Sequence, residues 1–192
     1  MVDWLPFATR YPLTDAASRT NYQIGGMRRD IRGLALHITD GHSELPYITG
    51  HFSHPARNHP NWGVSAHFAI SRNGEIAQYL PLTHRANAID SYQNDQHWYS
   101  VENVAVRGES LTPEQIASVS RLFLWIVLNK NVPNTLANTA TDRGLGYHSM
   151  FRLGHPSCPG QGVIRQRDQI IAAVAQGLAD DVASIRRDLS GI

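Results

Sequence analysis

The stretch Ile31-Arg32-Gly33-Leu34-Ala35-Leu36-His37-Ile38 is the segment on which the prediction of the fold depends most. It is apolar nearly throughout, which is typical of a central β-strand covered on both faces. Thr39-Asp40-Gly41 then ends the strand. A single histidine near the end of such a strand is usually a hydrogen-bonded core residue, so a functional interpretation of His37 needs support from other parts of the chain.

Further strands are predicted on the C-terminal side of this segment. Residues 64–70 and 75–80 flank Asn73-Gly74, the pair favoured in a type I′ turn, and therefore predict a β-hairpin. Residues 100–106 indicate another strand. Residues 129–146 are rich in Asn, Thr, Gly and Pro and predict a loop.

A helix is predicted over residues 111–128. Thr112 and Gln115 have the spacing of a capping box, and Pro113 falls at the first helical position. A last helix is predicted from residue 163 to residue 178, with a possible continuation to residue 189. The apolar stripe of the first helix comprises Ile116, Val119, Leu122, Phe123, Ile126 and Val127.

These elements predict an α/β (α+β) fold in which helices flank a central mixed β-sheet. Residues 43–61 are interpreted as a short helix and a loop, and residues 1–30 as an N-terminal arm packed on the domain. With 192 residues, of which 42% are hydrophobic and 17% charged, the chain has the composition of one globular domain. We therefore assign residues 31–192 to a single domain.

The charge balance and the cysteine count exclude several classes of protein. A net charge of +1 gives no footprint for nucleic acid or an anionic membrane. One cysteine excludes an intramolecular disulfide. No stretch approaches a membrane span, and Met1-Val2-Asp3-Trp4-Leu5-Pro6 lacks the pattern of a signal peptide. We expect a monomer that is synthesised in the cytoplasm without a signal peptide.

The segment from Gly146 to Gly160 is where the chemistry is predicted. It places His148, His155 and the only thiol of the chain, Cys158, within eleven residues. Imidazole and thiolate ligands suit Zn²⁺ better than Ca²⁺ or Mg²⁺. A catalytic zinc takes three protein ligands, so a third should come from a distant strand, and His37 is the best donor. The alternative for Cys158 is a small core residue.

Five segments, in this order, resemble the type 2 N-acetylmuramoyl-L-alanine amidases, which share their fold with peptidoglycan recognition proteins and phage amidase endolysins. The resemblance covers about residues 30–178. Its segments are the strand that ends near His37, Ser65-Ala66-His67-Phe68-Ala69-Ile70-Ser71-Arg72-Asn73-Gly74-Glu75-Ile76, Thr83-His84-Arg85-Ala86, Leu111-Thr112-Pro113-Glu114-Gln115, and Tyr147-His148 through Ser157-Cys158-Pro159-Gly160.

The resemblance implies a zinc hydrolase that cuts the amide between the lactyl group of N-acetylmuramic acid and the L-alanine of the stem peptide. The zinc ligands of the family fall on His37, His148 and Cys158. His84 falls on a position that lines the substrate groove, and His67 is also expected to bind substrate. The implied partner is peptidoglycan or a muropeptide, reached after release or delivery of the protein from the cytoplasm.

The catalytic acid and base are less clearly implied. Many members have a glutamate, acting as general base, at the end of the strand predicted over residues 100–106, but an ungapped match places Arg107 there. Glu102 is the nearest acid that a shifted register provides, and Glu109 the next. Other members place a tyrosine where this chain has Ala66.

A second catalytic position of the family, usually lysine or threonine, falls on Pro156 or His155. His155 could stabilise the oxyanion or protonate the leaving amine.

Two other functions are open at this point. One is a peptidoglycan-binding module without activity, although such modules often lack the cysteine. The other is a metal-independent cysteine hydrolase that uses Cys158 with His148 or His155.

Overall fold

A computed structural model describes residues 3–13, 21–42, 44–53, 63–89, 91–151 and 156–190, the last eight of these by their backbone alone. Within these ranges, six strands form one mixed sheet in the order β1-β5-β4-β7-β3-β8, and β2 pairs with β6 in a separate ribbon. The strands are β1 Thr9–Arg10, β2 Tyr22–Gln23, β3 Gly33–Ile38, β4 Phe68–Ile70, β5 Ile76–Gln78, β6 Arg85–Ala86, β7 Trp98–Asn103 and β8 Gly144–Tyr147.

The helices lie on both sides of this sheet, which confirms the predicted fold class. The two longest helices, α3 and α4, pack against each other and against one face. The shorter α1 packs on the other face. The helices are α1 Leu45–Ser53, α2 Tyr92–Asp95, α3 Pro113–Lys130 and α4 Gln161–Ser190, and a 3₁₀ helix spans His148–Phe151. No described helix is long and apolar enough to cross a membrane.

Alternation along β3 separates the two faces of the sheet. All six of its residues are buried, as predicted for a strand covered on both sides. Leu34 and Leu36 belong to the core under α3 and α4, whereas Ala35 packs with Trp98 on the opposite face. Because side chains two apart share a face, His37 points to the same side as Ala35.

The hairpin is present, but its turn differs from the prediction. The strands β4 and β5 are antiparallel and shorter than expected. A type I′ turn needs positive φ at both central residues. Gly74 has φ +85°, whereas Asn73 does not have positive φ. The amide of Gly74 donates to Ser71 at 3.0 Å, and an added Cβ at Gly74 would lie 2.9 Å from the Glu114 carbonyl oxygen. The turn is therefore shaped by its packing against α3.

The boundaries of several other elements differ from the predicted ones. The strand predicted over residues 100–106 is β7, and it ends at Asn103. Residues 144–146, predicted as the end of a loop, instead belong to β8, which pairs in parallel with β3. The last helix is continuous from Gln161 to Ser190. The N-terminal arm contributes two short strands that the sequence did not predict, and β1 extends the main sheet beside β5.

The predicted capping box at the start of α3 is confirmed and has an additional role. Thr112 accepts from the Gln115 amide at 3.1 Å, and Gln115 Oε1 accepts from the Thr112 amide at 3.0 Å. The buried Gln115 Nε2 also donates to the carbonyls of Ile70 and Val104, at 3.3 and 3.0 Å. One side chain therefore ties α3 to the ends of β4 and β7.

We expect Gln115→Ala to lower the free energy of unfolding by about 2–4 kcal/mol, because it leaves two buried carbonyls and one amide without this partner. Thr112→Ala is the matched control: it removes the cap and the hydrogen bond from the Thr112 hydroxyl to the Arg72 carbonyl, but keeps Gln115 and its bonds to the strand ends, and should cost about 1–2 kcal/mol. Urea unfolding of both variants measures the difference. Equal losses in the two variants would contradict the proposed link between α3 and the strand ends.

Candidate metal centre

The candidate site is built on a row of residues that crosses the sheet. His37 on β3 lies beside Glu102 on β7, and Glu102 lies beside Ala69 on β4. On the other flank, Leu36 pairs with Tyr147, so His148 follows in the register position beside His37. The parallel pairing of β7, β3 and β8 thus brings three titratable residues to neighbouring positions.

His148 is held at the junction of β8 and the 3₁₀ helix. The side chain is buried, and its ring centroid lies 4.5 Å from that of His37, with the planes tilted by 48°. Gly146 makes this packing possible, since a Cβ there would lie 2.5 Å from Met150 and 2.9 Å from Trp98. A larger residue at position 146 would displace the turn that carries His148.

Cys158 comes from the loop before α4 and is anchored from two sides. Its carbonyl accepts from the Ser149 amide at 2.8 Å, which joins the loop to the 3₁₀ helix. Its sulfur accepts from the amide of Ile38, the residue after His37. The peptide bond to Pro159 is cis. Sequence reasoning missed Ile38 and Ser149 as anchors, and the only available signal was that each is adjacent to a predicted ligand.

His37, His148 and Cys158 each offer one ligand atom, and these atoms all lie within 4.8 Å of one another. Ligands at the usual zinc distances of about 2.0–2.3 Å in a tetrahedral site are separated by ~3.5 Å, so small side-chain movements are sufficient. Two imidazoles and one thiol are also the donor types that zinc prefers. The chemistry and spacing of the three residues therefore fit a zinc ion with one open position.

Burial, and to a smaller extent the neighbouring Glu102 carboxylate, raises the pKa of the Cys158 thiol to about 12. The thiol is therefore protonated near neutral pH in the absence of a cation. A coordinating dication would deprotonate it. A cysteine nucleophile needs the opposite, a lowered pKa, so these surroundings argue against the metal-independent cysteine hydrolase.

Glu102 is the acid nearest to the cluster within the described residues. Its Oε1 lies 3.9 Å from His37 Nδ1, and 20% of its side chain is exposed. Its other oxygen, Oε2, is buried and has no hydrogen-bond partner in the described part of the chain. Burial raises the pKa of the Glu102 carboxyl to about 8. The group can therefore exchange a proton near neutral pH.

The structure gives Arg107 and Glu109 a different environment. Arg107 lies beyond the end of β7 and forms an exposed ion pair with Asp40 at 3.0 Å. Glu109 is bound by Arg72 and His42, each at 2.9 Å, and its pKa is lowered to about 2, mainly by the hydrogen bond with His42. Since β7 ends at Asn103, Arg107 lies outside the strand on which the ungapped match placed the acid, and Glu102 is the candidate that lies on β7.

Of the two residues predicted to contact substrate, His67 does not have access to it. The ring is fully buried, and its Nδ1 accepts from the Ser100 amide at 3.2 Å while Nε2 donates to the His84 carbonyl at 2.9 Å. Burial lowers the pKa of His67 to about 4, so the ring is neutral. Its role is to join β4, β7 and the segment before β6, and the substrate-binding prediction is corrected.

His84 remains a candidate for substrate binding. Its ring is half-buried and stacks on Tyr22 of the N-terminal arm, with ring centroids 5.9 Å apart. Burial lowers the pKa of His84. His155, predicted as a catalytic residue, lies outside the described residues.

A cavity of about 420 Å³ opens beside the C-terminal ends of β4 and β7, the strands that carry Ala69 and Glu102. Val104, directly after β7, lines it together with the start of α1 and the hairpin turn. Both signs of charge are present, from Glu44 and Glu75 and from Arg72. The cavity is suited to a ligand that carries both an amine and a carboxylate.

Comparisons with known proteins agree with this architecture. The sequence profile of the N-acetylmuramoyl-L-alanine amidases matches residues 27–161, well over half of the chain. A search of curated proteins finds no match.

Several solved structures share the fold. A selenomethionine derivative of AmpD is 21% identical with a TM-score of 0.67, and the similarity covers 89% of this chain and 98% of that one. The endolysin amidase LysCS from Clostridium intestinale URNW is 16% identical with a TM-score of 0.63 over 90% and 98%. The Staphylococcus aureus hydrolase AmiA, solved with its ligand, is 13% identical with a TM-score of 0.60 over 88% and 83%.

Proposed function

This chain belongs to the N-acetylmuramoyl-L-alanine amidase family, and we propose that it is a zinc-dependent peptidoglycan amidase that cleaves the bond between N-acetylmuramic acid and L-alanine. The observation that carries the zinc proposal is the convergence of His37, His148 and Cys158 within 4.8 Å. Glu102 beside them completes a site with a metal position and a proton-transfer group. Recognition modules without activity often lack the cysteine, so the presence of Cys158 favours an enzyme.

A bound zinc ion would supply Lewis-acid polarisation of the scissile carbonyl and would lower the pKa of water. His37 would hold it from β3, His148 from the start of the 3₁₀ helix that follows β8, and Cys158 from the loop before α4. Both imidazoles are attached to regular backbone structure, which limits the variation in the distance between them. The amide of Ile38 orients the sulfur of Cys158. The protein thus contributes a preformed set of donors.

Glu102 is the proposed general base and acid. Its carboxylate would accept a proton from the attacking water and then return it to the nitrogen of the leaving L-alanine. A group that titrates near neutral pH is suited to both transfers, and the Glu102 pKa of about 8 is in that range. Oε2 of Glu102 has no hydrogen-bond partner among the described residues, so it can accept the proton without first breaking such a bond.

The cavity beside Val104 is the proposed place for the stem peptide. A stem peptide carries carboxylates and, on its third residue, an amine. Arg72 can bind the carboxylates, and Glu44 and Glu75 can bind the amine. His84 contacts the arm and stays a candidate for the glycan side of the substrate.

Digestion of purified peptidoglycan tests the proposed bond. We expect the enzyme to release free peptides that begin with L-alanine and to leave intact glycan with free lactyl carboxylates, both identified by mass spectrometry. A chelator should stop the release, and added zinc should restore it. New reducing ends would indicate a glycosidase, and peptides cut within the stem would indicate a peptidase; either result would contradict the proposal.

A further inference from the structure

A second cavity, of about 380 Å³, lies at the end of β3 remote from the metal centre. Arg32 precedes β3 and His37 is five residues further along it, which separates them by about 16 Å in an extended strand. Three separate segments enclose the cavity. Four positively charged side chains line it, those of Arg29, Arg32, Lys130 and Arg143.

These four positive charges are only partly balanced by acids: among the described residues, Asp3 acts electrostatically on Lys130 from outside the cavity. The cavity contains one carboxylate, Asp30, and its Oδ1 lies 3.3 Å from His97 Nδ1. Among the residues that the structure describes, none of the four cations has a carboxylate oxygen within 4.0 Å. The chain as a whole has a net charge of only +1, so this concentration of positive charge is local.

Two of the arginines are held in position by the backbone. Arg32 Nη1 donates to the Ala140 carbonyl at 2.9 Å. Arg143 Nη2 donates to the carbonyls of Asn131 and Ile31, at 2.6 and 3.4 Å. A guanidinium has five N–H donors, so each arginine has others available for a ligand. Binding would therefore require little additional ordering of these side chains.

Lys130 is the last residue of α3, and its ammonium lies 5.6 Å from the centre of the Trp125 ring. The positive charge of Lys130 complements the dipole at the C-terminus of α3, which is one reason for a lysine at this position. The three arginines belong to segments outside the helices and have no such role. Burial lowers the pKa of Lys130, and an anion in the cavity would favour its charged form.

We propose that this cavity is a binding site for a phosphate group of a small soluble ligand, separate from the metal centre. Phosphate offers several acceptor oxygens around one centre and pairs well with guanidinium groups that approach from different directions. Lys130 adds a compact charge, and Arg29 completes the set from the exposed side. The hydroxyl of Thr141 and the amide of Asn131 provide neutral donors at the rim.

Calorimetric titration of the full chain with inorganic phosphate at low ionic strength tests this site. We expect saturable binding of one phosphate per chain. The double variant Arg29→Gln/Lys130→Gln should weaken it by about tenfold or more, because charge-assisted hydrogen bonds are roughly twice as strong as neutral ones. In the described part of the chain no side-chain hydrogen bond of Arg29 or Lys130 supports the loops, in contrast to Arg32 and Arg143, so the fold should be retained, which a melting curve verifies.

The matched control is Arg121→Gln/Arg165→Gln, which removes the same charge from exposed positions on α3 and α4 and should leave the phosphate affinity unchanged. Chelator-treated protein should bind phosphate as before, since the site does not involve the metal ligands. Absence of saturable binding, equal weakening in the control, or loss of binding with the metal would each overturn the proposal. Binding only to vesicles of anionic phospholipid would also overturn it, in favour of a membrane surface.

Discussion

Replacement of Cys158 by serine is expected to reduce zinc affinity by more than about 100-fold and to abolish hydrolysis at ordinary zinc concentrations. Loss of an outer partner of a metal ligand already lowers affinity by about 10–100-fold, and Cys158 is a proposed direct ligand. Serine retains the size of the side chain but offers a neutral hydroxyl in place of a thiolate. Zinc content after dialysis and peptide release from peptidoglycan are the two measurements.

Ser157→Ala is the control for this variant, because it changes the exposed neighbour in the same turn and leaves the proposed ligands intact. It should retain zinc and activity. Added zinc should raise the melting temperature of the parent protein and of Ser157→Ala, but much less that of Cys158→Ser. A Cys158→Ser protein with normal zinc content and activity would exclude the cysteine from the site.

Glu102→Gln is expected to reduce kcat by about 10²–10⁴-fold while zinc content stays the same, because a positioned general acid or base contributes a factor of that size. Glutamine has nearly the shape of glutamate but cannot accept or deliver the proton. The variant should lower kcat rather than raise KM, since the proposed role is in the chemical step. Steady-state kinetics on a soluble muropeptide, together with metal analysis, separates the two effects.

Glu109→Gln provides the matched control, since Glu109 is the other acid that the sequence offered for this role. Its carboxylate is engaged by Arg72 and His42 on the surface, so we expect a kcat within about threefold of the parent protein, and an effect through Arg72 on substrate binding should appear in KM. A large loss in Glu109→Gln together with a mild one in Glu102→Gln would reverse the assignment. Loss of zinc from Glu102→Gln would make Glu102 a residue that positions His37 rather than a proton carrier.

The fold was predictable where local patterns and burial agree. The continuous apolar run of β3 predicts a strand buried on both faces, and the spacing of Thr112 and Gln115 predicts the start of α3. Both features are present in the structure. The mixed sheet with flanking helices followed from the order of these elements. β8 was missed because its four residues, Gly144-Leu145-Gly146-Tyr147, contain two glycines and resemble a loop. Its strand conformation comes from pairing with β3, which the local sequence does not encode.

The three proposed zinc ligands could be named from the sequence because the only cysteine lies close to His148, and because the resemblance to the amidases selects His37 and His148 from the ten histidines of the chain. The acid was harder to place. Choosing between Glu102 and Arg107 depends on where β7 ends, and strand ends are set by pairing with neighbours rather than by the residues themselves. His67 was misassigned for a related reason, since a histidine on a strand can point to substrate or bind two backbone groups, and only the packing decides.

X-ray absorption spectroscopy at the zinc edge, on protein loaded with one equivalent of zinc, tests the central claim most directly. The account predicts one sulfur ligand at about 2.3 Å and two imidazole nitrogens at about 2.0 Å, with a light atom in the fourth position. The sulfur signal should disappear in Cys158→Ser. A zinc shell of nitrogen and oxygen alone in the parent protein, or a protein that cleaves peptidoglycan without bound metal, would contradict the account.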